Sequence, residues 1–266
     1  MKQKPDVKDT IPGRPLMINQ QHLKANKEHC AEVLFVGDIH LGSPQCDIPR
    51  LQVNLGYCLK NGVYIFLMGD LIECGTRESI GAGVYEQEYA GQEQAEKMMN
   101  LLQPLADAKL ILGSLEGNHE RRIYNLSGVN VAKLMARALK IPFLGEAGWN
   151  MWHVNGEIYT IYTLHGATGA QKQGTVLNAL ENISNNFHAD LVAVGHSHRA
   201  INSIKLIEMI DTRSRTIKQY KKFLLVTGSY LKYHGGYAQG RGMSMDKLGS
   251  PLVKFYKTKH DLVISW

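Results

Sequence analysis

The stretch AEVLFVGDIHLGSP, residues 31–44, predicts a buried strand that ends in a loop carrying an acid and an imidazole. The apolar run AEVLFV is followed at once by Gly37, Asp38 and His40. This pair has two interpretations: a turn residue beside a surface histidine, or two ligands of one metal ion. The motif alone does not separate them, so the remaining strand ends must be compared with this one.

Composition places the chain among globular proteins with a sizeable core. It has 266 residues, of which 44% are hydrophobic and 20% are charged, and this supports one large domain or two small ones. The longest apolar run, VYIFLM at 63–68, is far shorter than the roughly 20 residues of a membrane-spanning helix. The N-terminus lacks the apolar segment of a secretory signal. We therefore expect a cytoplasmic protein that does not associate with membranes and whose four cysteines are reduced.

The order of predicted elements favours two packed sheets with helices outside. In the first half, apolar strands alternate with helical patterns, which is typical of parallel strands. The second half is richer in strands and includes a hairpin around Asn155-Gly156. Residues 1–30 are polar, contain three prolines and are expected to form an N-terminal extension. Residues 31–266 are expected to form a single domain.

Five of the predicted strands end in the same way, with Asp, Asn or His next to glycine. The clusters are GDIH at 37–40, GD at 69–70, GNHE at 117–120, HG at 165–166 and GHSH at 195–198. In open α/β sheets, ligands bind beyond the carboxyl ends of the strands. Glycine in these positions allows sharp turns and a close approach of the ligand. We therefore expect the five clusters to converge on one site.

The residue types in these clusters indicate a metal site. Carboxylate, imidazole and amide groups suit Mn, Fe, Zn or Ni, and the lack of cysteine argues against a structural zinc site. Seven candidate ligands are too many for one tetrahedral ion and suit two ions. Two ions about 3.5–4 Å apart can stabilise both the attacking and the leaving oxygen of a displacement at phosphorus.

The ordered series D-x-H, G-D, G-N-H-E, H and G-H-x-H resembles the calcineurin-like metallophosphoesterases. DIHLG at 38–42 is nearest in motif style to the exonucleases that process DNA breaks. The resemblance implies an α/β fold, a four-layer α/β/β/α sandwich of two mixed sheets flanked by helices. It also implies a phosphodiesterase with two divalent metal ions, in which a metal-bridging hydroxide attacks phosphorus in line. We expect manganese, with Fe, Zn or Ni as alternatives.

The resemblance assigns a role to each residue of the site. The first metal would be held by Asp38, His40 and His198, the second by Asn118, His165 and His196, and both by Asp70. His119 would protonate the leaving oxygen or stabilise the charge that develops on it, and Glu120 would orient the His119 ring. Arg121 and Arg122 are candidates for contacting a substrate phosphate; the alternative is that they form a solvated helix start.

The substrate stays open between several classes. From residue 199 onward, 13 Lys and Arg stand against 4 Asp and Glu, whereas the first 198 residues hold 17 against 20. This basic third is interpreted either as a surface for a polyanion such as DNA or as the solvated faces of hairpins. We therefore keep three hypotheses: a phosphodiesterase acting on DNA, a hydrolase of small cyclic or dinucleotide phosphoesters, and a non-catalytic binding module. Protein partners are unknown.

Overall fold

Two mixed β-sheets form the centre of the fold in a computed structural model. The structure describes residues 18–77, 79, 85–166, 169–170, 172–235, 237–240 and 245–266. Over these residues, the strands of the first sheet in spatial order are β1 (Ile18–Leu23), β5 (Ala147–Val154), β6 (Glu157–Leu164), β7 (Leu191–Val194), β9 (Thr216–Thr227) and β8 (Ala200–Asp211). Those of the second sheet are β11 (Leu262–Ser265), β10 (Leu252–Tyr256), β2 (Cys30–Val36), β3 (Tyr64–Leu67) and β4 (Ile111–Ser114).

Six helices accompany these strands in the described part of the chain. They are α1 (Ile48–Asn61), α2 (Gly91–Asp107), α3 (Asn118–Ser127), α4 (Val131–Ala138), α5 (Gln173–Ser184) and the short α6 (Tyr237–Gly240). Helix α1 begins at Asp47, whose side chain accepts a hydrogen bond from the backbone of Arg50. It ends at Gly62, which has a left-handed φ of 69°.

Apolar residues fill three interfaces between four layers. Between the sheets, the fully buried rings of Phe35 and Trp152 lie 5.9 Å apart. Helices α1 and α2 pack on the outer face of the second sheet, where Leu51 is buried. Helix α5 packs on the outer face of the first sheet through residues such as Leu180. The predicted four-layer α/β/β/α sandwich is confirmed.

Strand direction brings the polar clusters to one edge of the sandwich. Strands β2, β3 and β4 are parallel, and so are β6, β7 and β9. The carboxyl ends of parallel strands lie at the same edge of a sheet, so the loops that follow them are neighbours.

Part of the predicted N-terminal extension belongs to the first sheet. Strand β1 pairs in parallel with β5 along its whole length, from Ile18 opposite Trp149 to Leu23 opposite Val154. Its sequence INQQHL is mostly polar, because β1 is an edge strand with little burial, and so it lacks a clear strand pattern. Residues 1–17 lie outside the described residues.

The β8–β9 hairpin extends well beyond its neighbour in the sheet. Strand β9 has 12 residues, but only Phe223–Val226 pair with β7. The preceding part of β9, together with most of β8, therefore projects from the edge opposite the carboxyl end of β7. Ile210 and Ile217, paired near the hairpin turn, are 73% and 68% exposed.

The predictions about cysteines and membrane spans can also be compared with the structure. All four cysteines are buried free thiols, as expected. Among the described residues, none of the helices combines the length and the apolar character needed to cross a bilayer.

Candidate metal centre

Three predicted ligands from distant segments meet on one side of the centre. Asp38 and His40 follow β2, and His198 follows β7. The Nε2 atoms of His40 and His198 are 3.1 Å apart, and Asp38 Oδ1 lies 3.3 Å from His198 Nε2 and 4.0 Å from His40 Nε2. All three ligand atoms lie within 4.8 Å of one another. This spacing suits a single cation placed among them.

Four further predicted ligands form a second group next to the first. The Nε2 atom of His165 lies 3.3 Å from Asp70 Oδ2 and 3.1 Å from Asn118 Oδ1. His196 joins Asp70 and His165 in a group whose ligand atoms lie within 4.8 Å of one another. These residues follow β3, β4, β6 and β7, so every predicted strand-end cluster contributes to the centre.

Asp70 lies between the two groups. Its Oδ2 atom is 3.3 Å from His165 Nε2 on one side and 3.8 Å from His40 Nε2 on the other. Its Oδ1 atom accepts a hydrogen bond of 2.8 Å from the backbone amide of His119, which holds the carboxylate in place. This position is compatible with the bridging role that the resemblance implies for Asp70.

Two buried carboxylate oxygens show that the residues fit metal ions. Asp38 Oδ1 and Asp70 Oδ2 are buried and have no hydrogen-bond partner among the described residues. An ionised oxygen without a partner is strongly unfavourable in a buried site. Each of these oxygens faces imidazole nitrogens at 3.3–4.0 Å, a spacing that leaves room for a shared cation. Divalent ions bound here would satisfy oxygens and nitrogens together.

Hydrogen bonds on the far side of two rings direct their Nε2 atoms into the centre. The Nδ1 atom of His165 lies 2.7 Å from the carbonyl oxygen of Met68, and that of His40 lies 3.1 Å from Glu73 Oε2. Both partners are acceptors, so each Nδ1 carries a proton and donates it. In the neutral ring, the Nε2 lone pair is then free to bind a metal.

The backbone is strained at most of the predicted ligands. Five of the seven have a left-handed φ, which is uncommon outside glycine. They are Asp38 (48°), His40 (54°), Asp70 (48°), His196 (66°) and His198 (56°). Such conformations cost about 1–3 kcal/mol each and cluster at functional sites. These backbone conformations direct the five side chains toward the candidate metal centre directly after the strands end.

Two glycines allow the loops to approach one another around Asp70. A Cβ atom on Gly117 would lie 2.0 Å from Asp70 Oδ1 and 2.1 Å from Asp70 N. A Cβ atom on Gly69, which has a φ of +88°, would lie 2.7 Å from both Gly117 N and His165 Nδ1. Any larger side chain would therefore displace groups of the centre itself.

Opposite charges stabilise one another in the buried centre. Burial opposes ionisation of Asp70, but the nearby His165 and His119 hold the pKa of its carboxyl well below its usual range. Burial likewise opposes protonation of His165, yet Asp70 raises the pKa of that ring to about 10. Glu73, its hydrogen-bonded partner, raises the pKa of the buried His40 to about 9. Without metal, protons supply the positive charge that these carboxylates require, so protons and metal ions compete.

His119 lies at the rim of the centre with its ring held from two sides. Its Nε2 atom is 3.8 Å from Asp70 Oδ2, and its Nδ1 atom is 2.7 Å from the carbonyl oxygen of Glu73. The guanidinium of Arg122 lies 3.1 Å and 3.0 Å from the two ring nitrogens. Burial and the neighbouring His40 lower the pKa of His119 to about 4, so the ring is neutral at pH 7 without metal or substrate.

Glu120 does not orient the His119 ring, and this part of the sequence prediction was wrong. Its two oxygens accept four backbone hydrogen bonds of 2.7–3.1 Å, three from residues 70–72 and one from Gly117. Glu120 therefore fastens the loop after β3 to the start of α3. The reason is geometric: consecutive residues at a helix start point in different directions, so Glu120 faces the backbone while His119 faces the site.

Glu73 makes the contacts that were expected of Glu120, and the sequence analysis missed it. Its buried carboxylate lies 3.1 Å from His40 Nδ1 and 3.5 Å from His119 Nδ1. It therefore links a predicted metal ligand to the predicted catalytic histidine. The available signal was its place three residues after Asp70, in the same strand-end loop GDLIE.

The two arginines of α3 have different surroundings. Arg122 lies against His119 at the centre, a position compatible with a contact to substrate phosphate. Arg121 is paired with two carboxylates, Glu116 at 3.4 Å and Glu146. Its charge is thus already neutralised, which does not favour the predicted phosphate contact.

Comparison with known proteins gives one sequence match and several distant structural ones. Residues 31–200 match the family model of the calcineurin-like phosphoesterases. A search of the curated proteins found no match. The chain is similar to Zn²⁺-bound Vps29 from Entamoeba histolytica, with 14% identity over 88% of this chain and 97% of that one and a TM-score of 0.40.

Two further solved structures are similar at the same distant level. A predicted phosphoesterase from Streptococcus pneumoniae has 12% identity over 85% of this chain and 83% of its own, with a TM-score of 0.38. A metallophosphoesterase from Sphaerobacter thermophilus has 14% identity over 88% and 87%, also with a TM-score of 0.38. The family match over residues 31–200 covers most of the chain and all seven predicted ligands. The chain therefore belongs to the calcineurin-like phosphoesterase family.

Proposed function

We propose that this protein is a phosphodiesterase that uses two divalent metal ions. The observation that carries the proposal is the position of Asp70 Oδ2, within 4 Å of imidazole nitrogens from both ligand groups. A buried carboxylate in that place can contact two neighbouring cations and offset part of their charge. A single-ion site would not need seven ligand residues in two adjoining groups.

The predicted ligands divide between the two ions as the resemblance implied. Asp38, His40 and His198 would hold one ion, Asn118, His165 and His196 the other, and Asp70 both. When bound, the ions would lower the pKa of water and draw electrons from the phosphoryl oxygens. Manganese is the proposed metal, with Fe, Zn and Ni as alternatives, since carboxylate and amide oxygens suit Mn and imidazole nitrogens suit the other three.

His119 and Arg122 are the chain's own groups for handling the substrate. With Nδ1 donating to the Glu73 carbonyl, His119 Nε2 is the ring atom nearest the centre. Negative charge on a leaving oxygen next to Nε2 favours protonation of the ring, and Glu73 Oε1 at 3.5 Å from Nδ1 stabilises the cation. His119 would therefore give a proton or a hydrogen bond to the leaving oxygen, and Arg122 would bind a phosphate oxygen.

The position of the basic residues on the β8–β9 hairpin favours a small substrate over DNA. Six of its lysines and arginines lie on the β8–β9 hairpin, which projects from the edge opposite the metal centre. Several are already paired: Lys218 with Asp211, and Lys222 with the carbonyl oxygens of Ser184 and Phe187. These cations are not placed to guide a polynucleotide across the site. DNA cleavage is therefore our second candidate, supported by the DIHLG likeness.

A non-catalytic binding module is the alternative from a different class. A domain that only binds a partner has no need for strained backbone at five ligand positions. It also has no need for a histidine at the rim whose ring is held on both sides. Both features favour catalysis.

The direct test is hydrolysis of bis-p-nitrophenyl phosphate by protein stripped with EDTA and reloaded with Mn²⁺, Fe²⁺, Zn²⁺ or Ni²⁺. We expect about two ions per chain by elemental analysis and turnover only after reloading. His119→Gln should keep its metal and lose about 10²–10⁴-fold in kcat. The matched control is His188→Gln, because His188 is exposed and lies beyond α5.

Three outcomes would contradict parts of the proposal. One ion per chain at saturation would exclude the two-metal arrangement. Unchanged turnover in His119→Gln would remove that residue from the chemistry. Faster cleavage of DNA than of small diesters, abolished at about 200–300 mM salt, would favour the nuclease instead.

A further inference from the structure

A pocket of about 330 Å³ adjoins the second ligand group. Asn118, His165 and His196 contribute to its lining, so its contents lie next to the place where phosphorus would react. The lining also contains two carboxylates and an arginine, those of Glu116, Glu146 and Arg121. The volume is at the small end of the range for ligand pockets and suits one compact group rather than a polymer segment.

The charged groups of this pocket form a small network with excess negative charge. The Arg121 guanidinium contacts Glu146 Oε1 and lies 3.4 Å from Glu116 Oε2. Glu116 Oε1 accepts a hydrogen bond of 2.9 Å from the Asn130 amide. One guanidinium thus faces two carboxylates. Glu116 is 3% exposed and has contacts at both oxygens, whereas the Glu146 side chain is 56% exposed and only its Oε1 is contacted in the described part of the chain.

This charge pattern excludes some substrate groups and favours others. A second phosphate in the pocket would meet two carboxylates and an arginine whose charge is already compensated, and like charges in contact are strongly unfavourable. A hydroxyl group donates a hydrogen bond, which a carboxylate readily accepts. The rest of the lining is uncharged and consists of Leu164 and three glycines, Gly117, Gly166 and Gly169.

We infer that this pocket binds an uncharged, hydroxyl-bearing group attached directly to the scissile phosphate, such as the ribose of a nucleoside, and that Glu146 accepts a hydroxyl hydrogen bond from it. Arg121 is then a positioning residue, which holds Glu146 and Glu116 in place rather than contacting phosphate. The inference rests on the proposed function and narrows its substrate to phosphodiesters with one sugar-like substituent.

The test compares two substrates with the same leaving group. Adenosine 5′-(p-nitrophenyl phosphate) carries ribose hydroxyls, whereas bis-p-nitrophenyl phosphate carries none. For Glu146→Gln we expect KM for the adenosine ester to rise about tenfold, since a charged hydrogen bond becomes a neutral one. For bis-p-nitrophenyl phosphate, which offers Glu146 no hydroxyl group, the change in KM should be much smaller. Glu208→Gln, on the hairpin at the opposite edge, is the matched control and should leave both substrates unaffected.

A binding measurement separates this inference from the proposed activity. Free adenosine, followed by saturation-transfer NMR, should bind the wild-type protein and bind Glu146→Gln about tenfold more weakly. If wild type hydrolyses neither ester but this binding difference is present, the pocket assignment holds and the phosphodiesterase proposal fails. Equal KM for the adenosine ester in both proteins, or equal weakening for both esters, would overturn the pocket assignment.

Discussion

Replacing Gly117 by alanine tests the packing of the metal centre with the smallest possible change. The added Cβ would lie 2.0 Å from Asp70 Oδ1 and 2.1 Å from Asp70 N, whereas ordinary contacts begin near 3.4 Å. Either residue 117 or Asp70 as a whole must therefore move by about 1.4 Å. Asp70 is held from two sides, through His119 at its carboxylate and through Glu120 at its amide, so this movement breaks hydrogen bonds as well.

The expected cost follows from these contacts. Overpacking of a well-packed interior costs about 1–3 kcal/mol, and two weakened hydrogen bonds add about 0.5–1.5 kcal/mol each. Without metal, Gly117→Ala should thus lose about 2–6 kcal/mol of unfolding free energy, which is roughly 4–24 °C in Tm for a chain of this size. Metal ions at a thousandfold excess over Kd stabilise a protein by about 4 kcal/mol. Gly117→Ala should lose most of this stabilisation by metal ions, because Asp70 no longer reaches both ligand groups.

The assay is thermal unfolding followed by circular dichroism, with EDTA and with saturating Mn²⁺. Gly174→Ala is the matched control: a Cβ there meets nothing within 4 Å, and the residue lies in α5. The same chemical change should there be neutral or stabilising by about 0.4–1 kcal/mol, with the wild-type response to Mn²⁺. If Gly117→Ala melted like wild type and gained as much from Mn²⁺, the close approach of Gly117 to Asp70 would be refuted.

Four further changes probe other parts of the fold. Asp70→Asn should lower the metal content from two ions per chain and reduce kcat for bis-p-nitrophenyl phosphate at least 10³-fold as an estimate, because an amide cannot neutralise two cations. Glu73→Gln should keep the fold but lower kcat or Mn²⁺ affinity by about 10–100-fold, the usual effect of losing a partner of a metal ligand; a Mn²⁺ titration of activity measures both. Trp152→Ala, in the fully buried layer between the sheets, should cost about 3–5 kcal/mol in urea unfolding. Burial opposes protonation of His260, but its hydrogen-bonded partner Asp190 raises the pKa of that ring. The ion pair therefore stabilises the folded state at low pH and is lost as pH rises through the raised pKa, so His260→Gln should destabilise the protein more at pH 6 than at pH 9 in urea unfolding.

Each of these expectations has an opposite outcome. Two ions per chain in Asp70→Asn would show that another group bridges them. Wild-type kinetics in Glu73→Gln would show that the contacts of Glu73 with His40 and His119 do not affect turnover. A loss below about 1 kcal/mol in Trp152→Ala would indicate a loosely packed interface between the sheets. An effect of His260→Gln that is equal at both pH values would separate the ring from Asp190.

The polar residues at the strand ends could be predicted from sequence, because their placement depends only on neighbouring residues in the chain. An apolar run predicts a buried strand, and the polar residues directly after it must lie at the end of that strand, whatever the rest of the fold does. Asp38, His40 and Asp70 were placed in this way, and the parallel arrangement then brought their loops together. The mostly polar strand β1 had no such pattern, and only its pairing with β5 reveals it.

Side-chain direction and pairing could not be predicted, because they depend on residues far apart in the chain. Glu120 is adjacent to His119 in sequence and Glu73 lies 46 positions away, and only the packing of the loop after β3 against α3 decides which one contacts the ring. Arg121 was a plausible phosphate ligand until Glu146, 25 positions later, was found beside it.

The amino-acid sequence by itself determined the family, the layered α/β class and the chemical identity of the candidate ligands. Each of these depends on residue type and on order along the chain, and both are visible in one dimension. The tertiary structure alone decided which acid contacts His119, which edge the basic hairpin occupies and which charges line the pocket next to the candidate ligands. Those features arise where segments that are distant in sequence pack together and exclude water. In such places the neighbours of a charged side chain decide what that side chain can bind.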